Sequence, residues 1–233
     1  MKTLLSKGST NAKTIKNDYE TYILYMSPFT QNDKNINLCP FATNGCKEAC
    51  LYSAGRGSFS NVKQARINKS NYFVNNKEGF LTQLKQELSK INNKAVKQNK
   101  VVYVRLNGTT DINWSKLIDM RKYSNIHFYD YTKGIKRAYN VKLMNEYTTL
   151  INYTVAYSYN ERTTVKDIID LCNNGINVAV VFNCTTLPIN YKGIKVVDGD
   201  KTDLEMIKHN GVILGLTAKG KAKKDSSGFV INL

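Results

Sequence analysis

The sequence has no long apolar run, few prolines and very few histidines. No stretch approaches the roughly 20 apolar residues that a membrane-spanning helix needs. The paired leucines at positions 4 and 5 are too short a run for a secretion signal. We therefore expect a cytoplasmic protein with no membrane partner. With only 2 histidines among 233 residues, a Ser-His-Asp catalytic set cannot be identified.

The chain also lacks the composition of a disordered or repetitive protein. Hydrophobic residues make up 42% of it and aromatic residues 10%, with only 3 prolines, which is typical of a folded chain. No internal repeat, low-complexity tract or Pro/Gly-rich linker marks a domain boundary. The length suits one sizeable core, so residues 1–233 are predicted to form a single domain.

Acidic residues are scarce relative to basic ones. The chain has 34 Lys and Arg against 18 Asp and Glu, a formal net charge of +16. Such a field attracts polyanions, so a nucleic acid or a nucleotide is the expected partner. The alternative is that lysine is simply the common surface residue of this chain. The one dense basic cluster comprises Lys219, Lys221, Lys223 and Lys224.

Apolar segments of strand length alternate with helical patterns along most of the chain. Seven strands are predicted, at residues 22–26, 101–106, 126–129, 150–157, 177–182, 194–197 and 212–216. The segments between them have mostly helical periodicity. Because parallel strands need crossover connections, we predict an α/β fold. The expected architecture is a single (β/α) barrel, complete or incomplete, with a Cys-rich loop after the first strand.

Polar residues follow nearly every predicted strand, where a (β/α) barrel collects its active site. Carboxylates and lysines there are candidate catalytic groups, for proton transfer or for binding a carboxylate or phosphate: Asp111, Asp130, Lys133, Asp198 and Lys219. Other polar residues are candidate cofactor ligands: Asn107, Thr109, Arg56 and Asp200. Arg56 belongs to a Gly-rich segment before a predicted helix, a setting that suits an anion. The alternative for that segment is a flexible exit from the cysteine loop.

Three of the five cysteines lie close together, as Cys39, Cys46 and Cys50 with the spacing Cys-x6-Cys-x3-Cys. In a chain without a secretion signal, this favours a metal or redox site over a disulfide framework. Three thiolates suit an iron-sulfur cluster with one open iron, and structural zinc is the alternative. Four other residues are possible fourth ligands of such a metal site, and three of them are better explained as parts of the core or of a helix end. Cys172, His127 and His209 are interpreted as structural, and Cys184 lies at a strand end.

Three cysteines after the first strand of a barrel resemble the arrangement in radical S-adenosylmethionine enzymes. In that family the open iron of a 4Fe-4S cluster binds S-adenosylmethionine, so the resemblance implies both cofactors. The family spacing is Cys-x3-Cys-x2-Cys, which this sequence does not match. Residues 107–111 stand where that family commonly has a Gly-Gly-Glu segment.

A second resemblance covers most of the chain. It rests on residues 39–43 with Cys46 and residues 50–52, on residues 105–112 with Trp114, and on residues 128–133, 196–203 and 215–220. These segments are similar to the phage gene product 88-like family of uncharacterised proteins. This resemblance implies an origin in a phage or mobile element and implies no reaction.

These features support three functional hypotheses. The first is an iron-sulfur, radical-SAM-like barrel enzyme that acts on a nucleotide or nucleic acid. The second is a zinc-stabilised nucleic-acid-binding protein without catalysis. The third is a scaffold or inhibitor whose thiols bind no metal. The sequence does not indicate an oligomeric state.

Overall fold

The computed structural model describes residues 3–8, 19–50, 52, 55–147 and 152–233. It has a mixed α/β fold built on a ten-stranded sheet. The strands are β1 Leu5–Lys7, β2 Thr21–Leu24, β3 Val102–Arg105, β4 Ile126–Thr132, β5 Tyr153–Ser158, β6 Val178–Asn183, β7 Asn190–Tyr191, β8 Ile194–Asp198, β9 Ile213–Thr217 and β10 Val230–Asn232. The α-helices are α1 Asn44–Glu48, α2 Ser60–Asn75, α3 Lys77–Lys97, α4 Ile135–Tyr147, α5 Val165–Asn173 and α6 Glu205–Lys208.

The sheet is mainly parallel, which confirms the predicted α/β class. Parallel pairs join β2 to β3, β3 to β4, β5 to β6, β6 to β9, β8 to β9 and β6 to β10. The short strands β1 and β7 pair antiparallel with β2 and β8. The order is β1-β2-β3-β4-β5-β6-β9-β8-β7. Among the described residues, no pairing joins β1 to β7 at the two ends of this order. The described sheet is therefore open and does not form the predicted closed barrel.

All seven predicted strands are present, with shifted ends. The clearest correction concerns β4, which continues to Thr132 and so contains Asp130 instead of ending before it. Hydrogen bonds satisfy the Asp130 carboxylate inside the fold, so a charged residue is tolerated within this strand. Leu150 and Ile151, at the start of one predicted strand, lie outside the described residues. The strands that sequence reasoning missed are the short β1, β7 and β10, too brief for a period of two to be recognised.

The chain folds into two compact units, and each unit is formed by segments that are separated in the sequence. The first comprises residues 1–40, 56–130 and 144–154. Its core contains the apolar face of α3, where Phe80, Leu84 and Leu88 recur every four residues and are fully buried. The Phe80 ring lies 5.2 Å from the Phe73 ring and 6.4 Å from the Trp114 ring, between ring centroids. An aromatic cluster therefore fixes both long helices.

The second unit comprises residues 41–55, 131–143 and 155–233. Its core packs α5 and its buried Ile168 and Leu171 around β6, whose nearly continuous apolar run is typical of an interior parallel strand. A capping box between Thr164 and Asp167 starts α5. The strand β10 pairs with the second half of β6, beyond the positions that pair with β5. The last described strand therefore lies near the C-terminal end of β6.

None of the described helices combines the length and the apolar character that a membrane crossing requires.

Candidate functional site

Cys39 is held against the loop that follows β3. The Cys39 thiol lies 3.7 Å from the carbonyl oxygen of Thr109. Beside it, the Asp111 amide donates to the Leu38 carbonyl at 2.9 Å. The Thr109 hydroxyl donates to the carbonyl of Met26, which follows β2. The first predicted metal ligand therefore lies at the C-terminal end of a parallel strand, where α/β proteins place their functional groups.

A buried network fixes the loop after β3. Asp130, only 1% exposed, accepts from the Asn107 amide at 2.8 Å, from the Asn107 side-chain nitrogen at 3.1 Å and from the Tyr153 hydroxyl at 3.0 Å. The Asn107 Oδ1 atom accepts from the Thr110 hydroxyl, the Ile112 amide and the Trp114 indole at 2.9 to 3.0 Å. Two predicted functional residues, Asn107 and Asp130, are therefore brought together, and these hydrogen bonds hold the loop itself in place.

The helix α1 carries Cys46 and is followed by Cys50. Thr43 caps its first turn by accepting from the Cys46 amide at 3.3 Å. Glu161, which follows β5, accepts from the Thr43 hydroxyl at 2.6 Å and from the Gly45 amide at 2.9 Å. Burial raises the pKa of Glu161, but these bonds and the charge of Lys133 outweigh burial and hold it below its usual range. A charged carboxylate therefore anchors the cysteine-bearing helix.

Close packing at Gly45 also fixes α1. A Cβ atom at this position would lie 2.2 Å from the Ser227 hydroxyl oxygen and 2.8 Å from the Cβ atom of Phe229. Cys46 packs against a small apolar cluster whose members directly follow α1, directly follow β9 or lie further along the chain: Ala49, Ala218, Ala222, Phe229 and Val230. The helix therefore lies against the last segments of the chain.

Lys133, a predicted catalytic residue, is bound inside the second unit. Its ammonium donates to the Ser158 hydroxyl at 2.9 Å and to the Tyr159 carbonyl at 3.1 Å, both at the end of β5. It also lies 4.7 Å from the centroid of the Phe229 ring. Lys133 therefore links the loop after β4 to the end of β5.

Three other predicted residues, one of them the last residue of β8, meet at the ends of β8 and β9. Asp200 accepts from the Thr217 amide at 2.9 Å, from the Thr217 hydroxyl at 2.6 Å and from the Lys219 ammonium at 2.6 Å. The exposed Asp198 accepts from the Asp200 amide at 2.8 Å. The carboxylate of Asp200 and the ammonium of Lys219 thus form an ion pair between two strand ends.

Arg56, predicted as an anion ligand, is exposed within a 3-10 turn at Gly55–Ser58. The helix α2 begins two residues later, at Ser60, and its N-cap Phe59 makes no side-chain capping bond. The helix that was predicted after this segment is thus present, over Ser60–Asn75.

The remaining two cysteines pack in or against the core of the second unit, and each of the two histidines contacts a polar side chain. Cys172 is buried in the core of the second unit, and burial raises its pKa to about 11, which confirms its interpretation as a core thiol. Cys184 packs against the same core. Burial lowers the pKa of His127 to about 4, and its ring bonds Thr154 at 2.8 Å. His209 lies 3.2 Å from Glu205.

All five cysteines are thiols in this structure. Within the part of the chain that the structure describes, no three His, Cys, Asp or Glu side chains are grouped in a way that could hold a metal ion. Metal ligation by Cys39, Cys46 and Cys50 therefore stays a prediction.

Sequence reasoning missed Glu161 and Thr43. Glu161 follows the end of β5 at Ser158, a strand after which no candidate site residue was predicted. Thr43 was visible as a possible N-cap three residues before Cys46. Its bond to Glu161 spans 118 positions, and no local pattern predicts such a contact.

The fold and these contacts define a mixed α/β protein with a mainly parallel sheet and a cysteine-bearing segment after its second strand. The family model for gene product 88 matches residues 3–233, and the chain belongs to this family. The predicted resemblance to the phage gene product 88-like family is thus confirmed. The comparisons do not support the resemblance to radical S-adenosylmethionine enzymes, which stays a prediction. No curated protein and no solved structure matches the chain.

Proposed function

We propose that Cys39, Cys46 and Cys50 bind a metal centre and that the protein acts on a nucleotide or nucleic acid. The first candidate for the metal centre is a 4Fe-4S cluster. The anchoring of α1 by Glu161 supports this proposal most, because it commits a charged, partly buried carboxylate to a helix of only five residues. Helices this short do not persist on local interactions alone. A carboxylate that holds so short a helix in place is expected where the side chains of that helix must be positioned for a function.

The donor set suits this kind of centre. Thiolates are soft ligands that favour iron-sulfur clusters and zinc. The described residues contain no assembled group of three ligands, so the proposal requires the three ligands to be brought together when the metal binds. Such coupling between metal binding and folding is common in small metal sites.

The chain's own residues have separate roles in this proposal. The three thiolates hold the metal, Glu161 orients α1, and the loop after β3 positions Cys39. When bound, a cluster with three thiolate ligands supplies an open iron for a small ligand, with S-adenosylmethionine as the candidate. Asp111 is the candidate proton-transfer group, since its backbone lies beside the Cys39 segment and its side chain is 7% exposed.

The test is anaerobic reconstitution with iron and sulfide, followed by iron and sulfide analysis and visible absorption spectroscopy. The wild-type chain should gain thiolate-to-iron absorption bands. The triple variant Cys39→Ala/Cys46→Ala/Cys50→Ala should lose them. The control Cys172→Ala should keep them, because Cys172 belongs to the core of the second unit. Equal iron in the triple variant and the wild type would overturn the proposal.

A second candidate is a zinc-stabilised nucleic-acid-binding protein, which the net charge of +16 favours. It predicts about one zinc per chain by elemental analysis, with the same dependence on the three cysteines. Purified protein that holds neither metal and whose loop thiols are readily alkylated would support the scaffold hypothesis instead.

A further inference from the structure

A short basic segment, the 3-10 helix Gly220–Lys224, follows β9 in the second unit. We call it the lysine segment. Lys221, Lys223 and Lys224 are exposed on it, and they make no ion pair or hydrogen bond with any described residue. Lys219, just before it, differs because it is paired with Asp200. Three uncompensated ammonium groups thus lie within four consecutive positions.

The lysine segment is held in place by its neighbours. Asp225 accepts from the Ser227 hydroxyl at 2.7 Å and from the Val230 amide at 3.0 Å, which ties the end of the segment to the start of β10. Ala222, only 4% exposed, anchors its middle. A fixed backbone reduces the conformational entropy lost when a ligand is bound.

The same anchor places the segment beside the cysteine-bearing helix. Ala222 belongs to the apolar cluster that includes Ala49, the residue that follows α1, and Cys46 packs against this cluster. Both elements lie in the second unit. The lysine segment and the segment that carries Cys46 therefore pack against the same apolar cluster.

We propose that Lys221, Lys223 and Lys224 bind the phosphodiester backbone of a nucleic acid and hold it beside Cys46. This inference deepens the proposed function, on which it rests for the role of the thiol. In a 3-10 helix, with three residues per turn and a rise of about 2 Å per residue, Lys221 and Lys224 lie on one face about 6 Å apart, and Lys223 lies on an adjacent face between them in height. A nucleic-acid strand carries one phosphate per about 3.4 Å of helix axis, so the lysines span neighbouring phosphates. The positive net charge attracts the same polyanion from a distance.

The test compares two triple variants of the full chain. Lys221→Gln/Lys223→Gln/Lys224→Gln removes the proposed contacts. Its matched control, Lys85→Gln/Lys90→Gln/Lys97→Gln, removes equal charge from exposed positions on α3. Binding of labelled DNA, as a single strand and as a duplex, is measured by fluorescence anisotropy over a range of salt concentrations.

The first variant should bind roughly tenfold or more weakly than the wild type at moderate salt. Its slope of log affinity against log salt should be shallower by about 2 for the single strand or about 3 for the duplex, whichever form is bound. The control should bind like the wild type. Equal weakening by both variants, no weakening, or equally tight binding of phosphatidylserine vesicles would overturn the inference.

The failure of this inference is distinguishable from that of the proposed function. The lysine variant should reconstitute with the same iron content as the wild type, because it leaves the cysteines intact. Suppose that the lysine variant loses the salt-dependent binding of DNA while the cysteine variant takes up as much iron as the wild type. This result would support the nucleic-acid surface and overturn the metal centre. Suppose instead that the lysine variant binds DNA like the wild type while the cysteine variant loses its iron. This result would support the metal centre and overturn the nucleic-acid surface.

Discussion

Replacing Asp130 with asparagine tests the buried network that shapes the loop after β3. The carboxylate accepts three hydrogen bonds, two from Asn107 and one from Tyr153, and is 1% exposed. Asparagine has nearly the same shape, so the substitution changes charge and hydrogen bonding while keeping volume.

The stability lost in Asp130→Asn depends on which of these hydrogen bonds the new amide can still form. The single oxygen of the new amide can still accept from the Asn107 backbone. Its NH2 group then faces the Asn107 side-chain nitrogen, also a donor, while the Tyr153 hydroxyl can turn to accept. One bond is lost, a buried donor is left unsatisfied at about 1–3 kcal/mol, and the remaining bonds lose their charge. We expect Asp130→Asn to lower the free energy of unfolding by about 2–4 kcal/mol.

Urea unfolding followed by circular dichroism measures this loss, with the slope m as a check that the same transition is observed. The control is Asp198→Asn, an exposed carboxylate whose replacement should change stability by less than about 0.5 kcal/mol. Tyr153→Phe should also destabilise, and the double variant should cost less than the sum because both changes affect one bond. A loss for Asp130→Asn as small as that of the control would refute the reasoning.

Two further predictions concern pH and backbone strain. The pKa of His127 is about 4 when folded and 6.5 when unfolded, so the unfolded chain binds more protons between these values. The stability that depends on His127 should be nearly complete at pH 7 and should fall by about 2 kcal/mol from pH 7 to pH 5, and His127→Gln should remove that fall in urea titrations at both pH values. Gly211 has a φ of 67°, and an added Cβ would lie 2.3 Å from the Cys172 carbonyl oxygen. Gly211→Ala should therefore cost about 1–3 kcal/mol in thermal unfolding, more than Gly193→Ala, where an added Cβ has open space; equal costs would contradict this.

The sheet strands were predictable because their apolar runs are local. Four of the six residues of Val178–Asn183 are buried, and the apolar run in its sequence alone indicates an interior parallel strand. The helix α5 was predictable from its apolar face and its Thr164 cap. Cys172 was correctly interpreted as a core thiol for the same reason, since it belongs to that face.

The candidate site was only partly predictable. The cysteine spacing and the polar residues after the strands are visible in the sequence, but their partners are not. Asp130 was predicted to follow β4 as a candidate catalytic group, whereas it lies within the strand and supports Asn107. Glu161 was not singled out at all, because its bonds reach Thr43 and Gly45 across more than a hundred positions.

The sequence by itself determined the α/β class, the alternation of strands and helices, the excess of positive charge and the clustering of three cysteines. Periodicity, composition and spacing are local properties, so they can be read without coordinates. Only the tertiary structure decided that Glu161 anchors α1, that Asp130 and Asn107 share a buried network, and that the lysine segment lies beside Cys46. Each of these depends on which distant segments pack together, and packing is a property of the whole fold.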